Sequence, residues 1–181
     1  MEFRLKYEGP LKAKGYAKHK HSLRKAFHPQ LRELWKQQPL ARVKGDLLNP
    51  SHKHSVIKPV GSFRFASLIS SRIDLLGVLD ILMLTPGEPN SIISSGDIDN
   101  RLKTLLDSLK CPTHVQDIPA GEVPSADESP FYCLFEDDNL ITSIKVSRDR
   151  LLESEDDSDV FLLIHVKTLP SLGTPIALSI P

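Results

Sequence analysis

Two apolar runs near the middle of the chain restrict most strongly what it can fold into. One extends from Phe63 to Ile69 and the other from Ile73 to Leu84, and a short Ser-rich turn separates them. Both runs are rich in β-branched and large apolar residues, which is typical of buried strands. We therefore expect a β-sheet that has these two strands at its centre.

Further strands and two helices complete the predicted fold. Glu2 to Tyr7 alternates apolar and charged residues, the period of two that is typical of a half-buried strand. One helix is predicted from Ser22, as N-cap, to about Gln38, with Pro29 denting or dividing it, and another from about Asp99 to Lys110. The fold class is thus α/β (α+β), a mixed β-sheet with two principal helices. The remaining strands are predicted at Phe131–Phe135, Ile141–Arg148 and Val160–Leu169, and long loops at 40–59 and 111–130.

The length of 181 residues fits one domain over 1–181 with a single hydrophobic core. Its charges are unevenly distributed. A basic N-terminal part (1–66) holds 15 of the 23 Lys and Arg residues and 4 of the 23 acids, which gives +11 there and −11 in the remainder. Either a basic surface binds a polyanion beside an acidic half that holds cations, or the two halves neutralise each other within one fold.

The cysteines and the apolar segments indicate a cytoplasmic protein. Cys111 and Cys133 are too few for a disulfide framework, which predicts reduced thiols. The N-terminus lacks the apolar core of a signal peptide. The longest apolar run, Leu75 to Leu84, is interrupted by Asp80 and is shorter than the roughly 20 residues of a membrane span, so we expect no membrane partner.

Polar residues with the potential for chemistry lie at the start of the second predicted helix. Asp99, Lys103 and Asp107 are spaced by four and therefore share one edge of that helix, beside a stripe of leucines. Asp97 lies two residues before Asp99, near the helix N-terminus, where backbone amides and the helix dipole favour anions. Asp107 has the alternative explanation of an ordinary surface acid.

A second acidic pair, Asp137 and Asp138, comes from the start of a later strand. Bringing so many acids together is repulsive unless a cation compensates them. Hard oxygen ligands of this kind select Mg²⁺ or Mn²⁺, which can bind a phosphate, generate hydroxide and stabilise a leaving oxyanion. Taken alone, Asp97 or Asp99 is better explained as a helix N-cap, and Lys103 as a salt-bridge partner, than as a catalytic residue. A calcium site is a further alternative, but the EF-hand pattern requires more oxygen ligands and a glycine.

The string GDIDNRLKTLLDSL, followed later by FEDDNLITSIKV, resembles the RusA family of Holliday junction resolvases. The signature of that family is D-x-D-N-x-x-K-x-x-x-D-A-L with a later D-D pair. The resemblance covers about residues 72 to 150 and implies a RusA-like fold and a Mg²⁺-dependent, homodimeric endodeoxyribonuclease. Such an enzyme makes paired nicks at four-way DNA junctions with metal-activated water, in DNA recombination and repair. The chain departs from the family at Ser108, in its basic N-terminal part, in the insertion (111–130) and in a C-terminal extension (170–181).

The resemblance also implies residue roles. By motif position, Asp97, Asp99 and Asp138 would bind the metal and act in catalysis, and Lys103 would contact the scissile phosphate or stabilise its charge. Supporting roles would fall to Asn100, Asp107 and Asp137.

Two other functions remain open: an endonuclease for other branched DNA, and a catalytically inactive nucleic-acid-binding protein of the same fold.

Basic residues near the N-terminus form a candidate DNA-binding cluster. Such a cluster suits phosphate contacts that do not depend on base sequence. The alternative is a solvated, flexible basic loop. Two His-Lys-His tracts, at 19–21 and 52–54, lack cysteine or carboxylate partners and are interpreted as polar surface rather than as zinc ligands. The predicted DNA-binding residues are Lys12, Lys14, Lys18, Lys20, Arg24 and Lys25.

Overall fold

The computed structural model describes residues 1–86, 98–153, 156, 158–171 and 180. Within these residues the chain forms seven strands and three α-helices, which confirms the α+β class. No helix in the described ranges is long and apolar enough to cross a membrane. In chain order the elements are β1 (Glu2–Pro10), α1 (Ala17–Leu34), α2 (Leu40–Leu47), β2 (Ile57–Val60), β3 (Phe63–Ile69), β4 (Leu75–Thr85), α3 (Ile98–Leu109), β5 (Phe131–Phe135), β6 (Ile141–Arg150) and β7 (Asp159–Pro170).

The strands form two mixed sheets, whereas the sequence predicted one. The larger sheet has the order β1-β7-β4-β6, in which only β4 and β6 are parallel. The smaller sheet has the order β2-β3-β5, in which β3 and β5 are parallel. The chain leaves the smaller sheet after β3 through a short 3₁₀ helix, Ser71–Ile73, and a left-handed residue, Asp74, with φ of 53°. This tight turn sends β4 into the larger sheet.

The main core lies where the helices meet both sheets. Alternate residues of β4 face it, and α1 and α3 contribute their apolar faces. The sheets approach closely at Gly77, where a Cβ would lie 2.6 Å from a ring carbon of Phe135 and 2.9 Å from Ile69. A larger residue would therefore push away the end of β5. This contact also bears on the position of Asp137 and Asp138, because only Glu136 separates them from the end of β5.

The first helix differs from its predicted bounds. It begins at Ala17, five residues before the expected cap, and ends at Leu34. The Ser22 hydroxyl donates to the carbonyl of His19 at 2.7 Å, so it is part of the helix and does not cap it. Pro29 lies inside the helix without dividing it.

The prediction of a loop at 40–59 was wrong over much of that range, which contains α2 and most of β2. Its first part is α2, in which Leu40 and Leu47 are both fully buried. A spacing of seven residues puts them on one helical face, but the helix is too short and polar for its period to be clear. The end of the loop is β2, and Pro59 fits there because β2 is an edge strand.

The insertion at 111–130 is packed against the body of the protein. It contains two short 3₁₀ helices, Val115–Asp117 and Ala126–Glu128. Its residues Cys111 and Ile118 join a second apolar cluster with side chains of β2, β3 and β5. Cys111 and Cys133 are free and buried, and a hydrogen bond between the two thiols, together with burial, raises the pKa of Cys111.

His21 on α1 is buried between the smaller sheet and the insertion. Its ring lies 5.6 Å from the rings of both Phe63 and Phe131, and neither ring nitrogen has a hydrogen-bond partner. Burial, followed by the charges of Arg24 and Lys25, lowers its pKa from 6.5 to about 4, although Glu122 and Glu128 oppose this. His21 is therefore neutral in the folded protein at neutral pH.

We expect this histidine to make the folded state sensitive to acid. Below pH 6.5 the unfolded chain binds a proton that folded His21 does not take up until about pH 4, so stability falls between these values. Between pH 7 and pH 5 the loss is about 2 kcal/mol from this residue. Urea unfolding at both pH values should show that His21→Phe loses about that much less than wild type. Equal losses in the two proteins would contradict the assignment.

Candidate metal and nucleic-acid site

Helix α3 carries the polar residues of the motif on its exposed side. Leu105 and Leu109 are fully buried, which turns the opposite side of the helix towards solvent. Asp99 lies in the first turn and is exposed, as are Asn100 and Lys103. Asp97 is outside the described residues.

The second acidic segment lies beside the C-terminal end of α3. Lys110 pairs with Phe135 in an isolated parallel bridge, and the amide of Cys111 donates to the Phe135 carbonyl at 2.8 Å. These backbone contacts hold the C-terminal end of α3 next to the C-terminal end of β5. Asp137 then caps a short 3₁₀ helix by accepting from the amide of Asn139 at 3.0 Å. The structure therefore places the second acidic segment beside Asp107 and Lys110 at the C-terminal end of α3, whereas Asp99 lies in the first turn of that helix.

Lys110 connects the two acidic segments. Its Nζ lies 2.9 Å from Oδ2 of Asp138 and 3.5 Å from Oδ1 of Asp107. The hydrogen bond from Lys110, and then its charge, lower the pKa of Asp138. Burial works to lower the pKa of Lys110, but the hydrogen bond and the surrounding carboxylates raise it overall. Lys110 is thus a resident cation between Asp107 and Asp138.

Sequence reasoning missed Lys110. Its position three residues after Asp107 suggests a helical salt bridge at most. Its contact with Asp138 spans 28 residues of sequence and exists only because α3 and β5 end side by side. Asp107 has a further partner, Lys20, at 2.6 Å.

The basic N-terminal segment is attached to α3 next to the motif. The amide of Gly15 donates to Oγ1 of Thr104 at 3.3 Å, and that hydroxyl donates to the carbonyl of Ala13 at 3.3 Å. The Lys20–Asp107 salt bridge adds a second attachment. Part of the predicted cluster therefore borders the motif helix rather than forming a detached loop.

Gly15 is essential for this attachment. A Cβ there would lie 2.4 Å from Cγ2 of Thr104, so Gly15→Ala should detach the segment from α3 and raise the hydrogen exchange of the Gly15 region severalfold. Thr104→Ser removes that methyl group and keeps the hydroxyl. We expect the double variant Gly15→Ala with Thr104→Ser to regain most of the protection. Unchanged exchange in Gly15→Ala alone would show that the contact is loose.

The predicted DNA-binding residues fall into two groups. Arg24 is only 4% exposed, and its guanidinium donates to carbonyl oxygens of Asp107, Lys110 and Asp117 at 2.9 to 3.4 Å. It therefore supports the fold, and its prediction as a phosphate-binding residue was wrong. Lys25 is paired with Glu122 and lies 3.7 Å from Glu128. Lys20 is paired with Asp107. Of the six predicted residues, this leaves Lys12, Lys14 and Lys18, which are exposed and form no salt bridge with a described carboxylate.

The carboxylate oxygens of this site suit a hard divalent cation, but the described residues alone do not provide a complete set of ligands. Within them no three potential ligands come together, and Asp97 lies outside. Asp138 uses Oδ2 for Lys110, and its side chain is 46% exposed. Carboxylate oxygens on two converging segments fit Mg²⁺ better than a softer metal. Comparisons of the chain with family models, curated proteins and solved structures find no match.

Proposed function

We propose that this protein is a Mg²⁺-dependent endonuclease that cuts branched DNA, with the four-way junction as its substrate. The observation that carries the proposal is that Lys110 joins Asp107 of the motif helix to Asp138 of the second acidic segment, next to an attached basic segment. Exposed carboxylates beside exposed lysines provide both halves of a phosphodiester site: oxygen ligands for a cation and positive charge for the phosphate.

Each side chain has a distinct part in the proposed reaction. Asp99 and Asp138, with Asp97, would hold Mg²⁺, for which Mn²⁺ can substitute. When bound, the ion supplies an activated water and stabilises the leaving oxygen. Lys103 lies one helical turn after Asp99 and would hold the scissile phosphate. Lys110 keeps Asp138 beside the end of α3, and Asp107 in turn accepts from Lys20.

A homodimer suits this substrate. A four-way junction needs two symmetric cuts, and a two-fold axis would place two identical sites on opposite strands. The same site in a monomer would cut one strand at a time, as at a fork or flap.

The Lys110 salt bridges also favour a second candidate function. Because a protein cation already compensates Asp107 and Asp138, the cluster is stable without a metal. A DNA-binding protein without nuclease activity would keep the same contacts. The two functions differ in whether a divalent cation enters the site.

Cleavage of matched substrates separates these functions. Purified protein is incubated with a four-way junction, a fork and a linear duplex of the same sequence, with Mg²⁺ or with EDTA. We expect paired nicks in the junction with Mg²⁺ and none with EDTA. Cutting of the fork alone would favour another branched substrate. If folded protein incubated with Mg²⁺ or Mn²⁺ binds every substrate and cuts none, the nuclease proposal is wrong.

The exposed lysines should control the salt dependence of DNA binding. Replacing Lys12, Lys14 and Lys18 together by Gln removes up to three phosphate contacts. The slope of log affinity against log salt concentration should then become shallower by roughly 3, or about 1 per contact. A triple Gln variant at Lys36, Lys44 and Lys53 makes the same change of charge elsewhere and should leave the slope unchanged. Equal slopes in both variants would show that the segment does not contact phosphates.

A further inference from the structure

Tyr16 is a large aromatic side chain in an unusual position. It is 80% exposed and lies between Lys14 and Lys18, which are exposed as well. The ring of Tyr16 does not stabilise the fold by packing, because Tyr16 belongs to neither apolar cluster of the described residues. An exposed aromatic ring among cations is typical of a surface that binds single-stranded nucleic acid.

The backbone on both sides of Tyr16 is fixed. Gly15 is bonded to Thr104 of α3, and the carbonyl of Tyr16 accepts from the amide of Lys20 at 3.0 Å. Before it, the amide of Lys12 donates to Nε2 of His19 at 3.1 Å. Since a tyrosine has only two side-chain torsions, ordering its ring against a ligand costs little entropy. The ring is thus presented on a rigid base rather than on a loose loop.

We propose that Tyr16 is a stacking platform for an unstacked nucleobase of branched DNA. The inference rests on the proposed function and names the feature of the substrate that is selected. The base stacks on the ring, while Lys14 and Lys18 contact the phosphates on either side of that nucleotide. Stacking tolerates any base, because every base has a π-face. A continuous duplex has no free base face to offer.

The attachment to α3 links this platform to the cutting site. Gly15 contacts Thr104, and Thr104 directly follows Lys103. A base held by Tyr16 would therefore bring its own strand to the polar edge of α3. The protein would select DNA in which a base is unstacked at a branch point, and place the adjoining backbone near Lys103 and Asp99.

Binding in EDTA tests the platform without cleavage. Affinities are measured for single-stranded DNA, a four-way junction and a linear duplex, using wild type, Tyr16→Ala and Tyr16→Phe. We expect Tyr16→Ala to bind the single strand and the junction about tenfold more weakly, and the duplex within about twofold of wild type. Tyr16→Phe keeps the ring and should bind as wild type. Leu152→Ala removes an equally exposed side chain, 80% in each case, and should have no effect.

Fluorescence provides a second readout that does not depend on affinity. The only tryptophan, Trp35, is fully buried, so Tyr16→Trp adds one exposed fluorophore. Single-stranded DNA should quench its emission more strongly than duplex at saturation. Equal quenching by both, or a loss of affinity in Tyr16→Ala that is the same for duplex, would overturn the proposal.

The outcome is separable from that of the nuclease proposal. If the protein cuts no DNA but Tyr16→Ala selectively loses the single strand, the platform stands and the nuclease fails. If cleavage occurs and Tyr16→Ala binds all substrates as wild type does, the platform fails and the nuclease stands. A wild-type protein that binds no DNA overturns both.

Discussion

Asp99→Asn is expected to lower the rate of DNA cleavage at least about a hundredfold, because loss of a residue that only hydrogen-bonds to a metal ligand already costs about 10- to 100-fold. The amide keeps the shape of the side chain but lacks the charge that holds a divalent cation. Because Asp99 is exposed in the first turn of α3, stability should change by no more than about 1 kcal/mol. DNA binding in EDTA should stay within about twofold of wild type. Single-turnover cleavage of a labelled junction measures the rate directly.

Asp46→Asn is the matched control for this variant. Asp46 is exposed on α2 and makes no salt bridge in the described structure, so its neutralisation changes net charge equally. Its cleavage rate should match that of wild type. Undiminished cleavage by Asp99→Asn would show that the metal site lies elsewhere. Equal losses in both variants would point to net charge as the cause.

The largest expected effect on stability comes from Arg24→Met. Arg24 joins three parts of the chain, since its guanidinium donates to backbone carbonyls at the end of α3 and in the insertion. Methionine keeps much of the apolar stem and leaves those buried acceptors without their charged donor. With about 1.5 to 3 kcal/mol for each hydrogen bond to a charged group, less the desolvation that Arg24 no longer suffers, we expect a loss of about 3 kcal/mol.

Urea unfolding at neutral pH measures this loss. Arg42→Met is the control, because Arg42 is exposed on α2, and its replacement should change stability by less than about 0.5 kcal/mol. A similar small change in Arg24→Met would mean that the three carbonyl contacts add nothing to the fold.

The strands were the most predictable part of this fold. Phe63–Ile69 and Phe131–Phe135 have the predicted bounds, because each is rich in large apolar residues and lies between polar turns. Helix α3 was also predicted to within a residue or so, since its leucine period is clear. Division into two sheets was not predictable, because it depends on the turn at Asp74 and on the close approach at Gly77.

The parts that were missed depend on contacts distant in sequence. Helix α2 has only two buried leucines, Leu40 and Leu47, and its period is lost among polar residues. Arg24 and Lys25 looked like their lysine neighbours in a basic cluster. Only the packing of the insertion against α1 distinguishes them, by burying Arg24 and pairing Lys25 with Glu122.

The candidate site was predictable in its parts but not in its electrostatics. The helical period places Asp99, Lys103 and Asp107 on one edge, and α3 carries them as expected. The backbone pairing of Lys110 with Phe135 explains why Asp138 lies beside the C-terminal end of α3, and the convergence of Asp138 with Asp97 and Asp99 stays a prediction. Compensation by Lys110 was not foreseen. The metal and the substrate stay predictions.

A crystal structure of the protein grown with Mn²⁺, with anomalous diffraction data, tests the central claim most directly. The account predicts a strong anomalous peak about 2.1 Å from carboxylate oxygens of Asp97, Asp99 and Asp138, with Lys110 moved away or turned towards Asp107. A peak at other residues, or no peak at a Mn²⁺ concentration that saturates DNA cleavage, would contradict it.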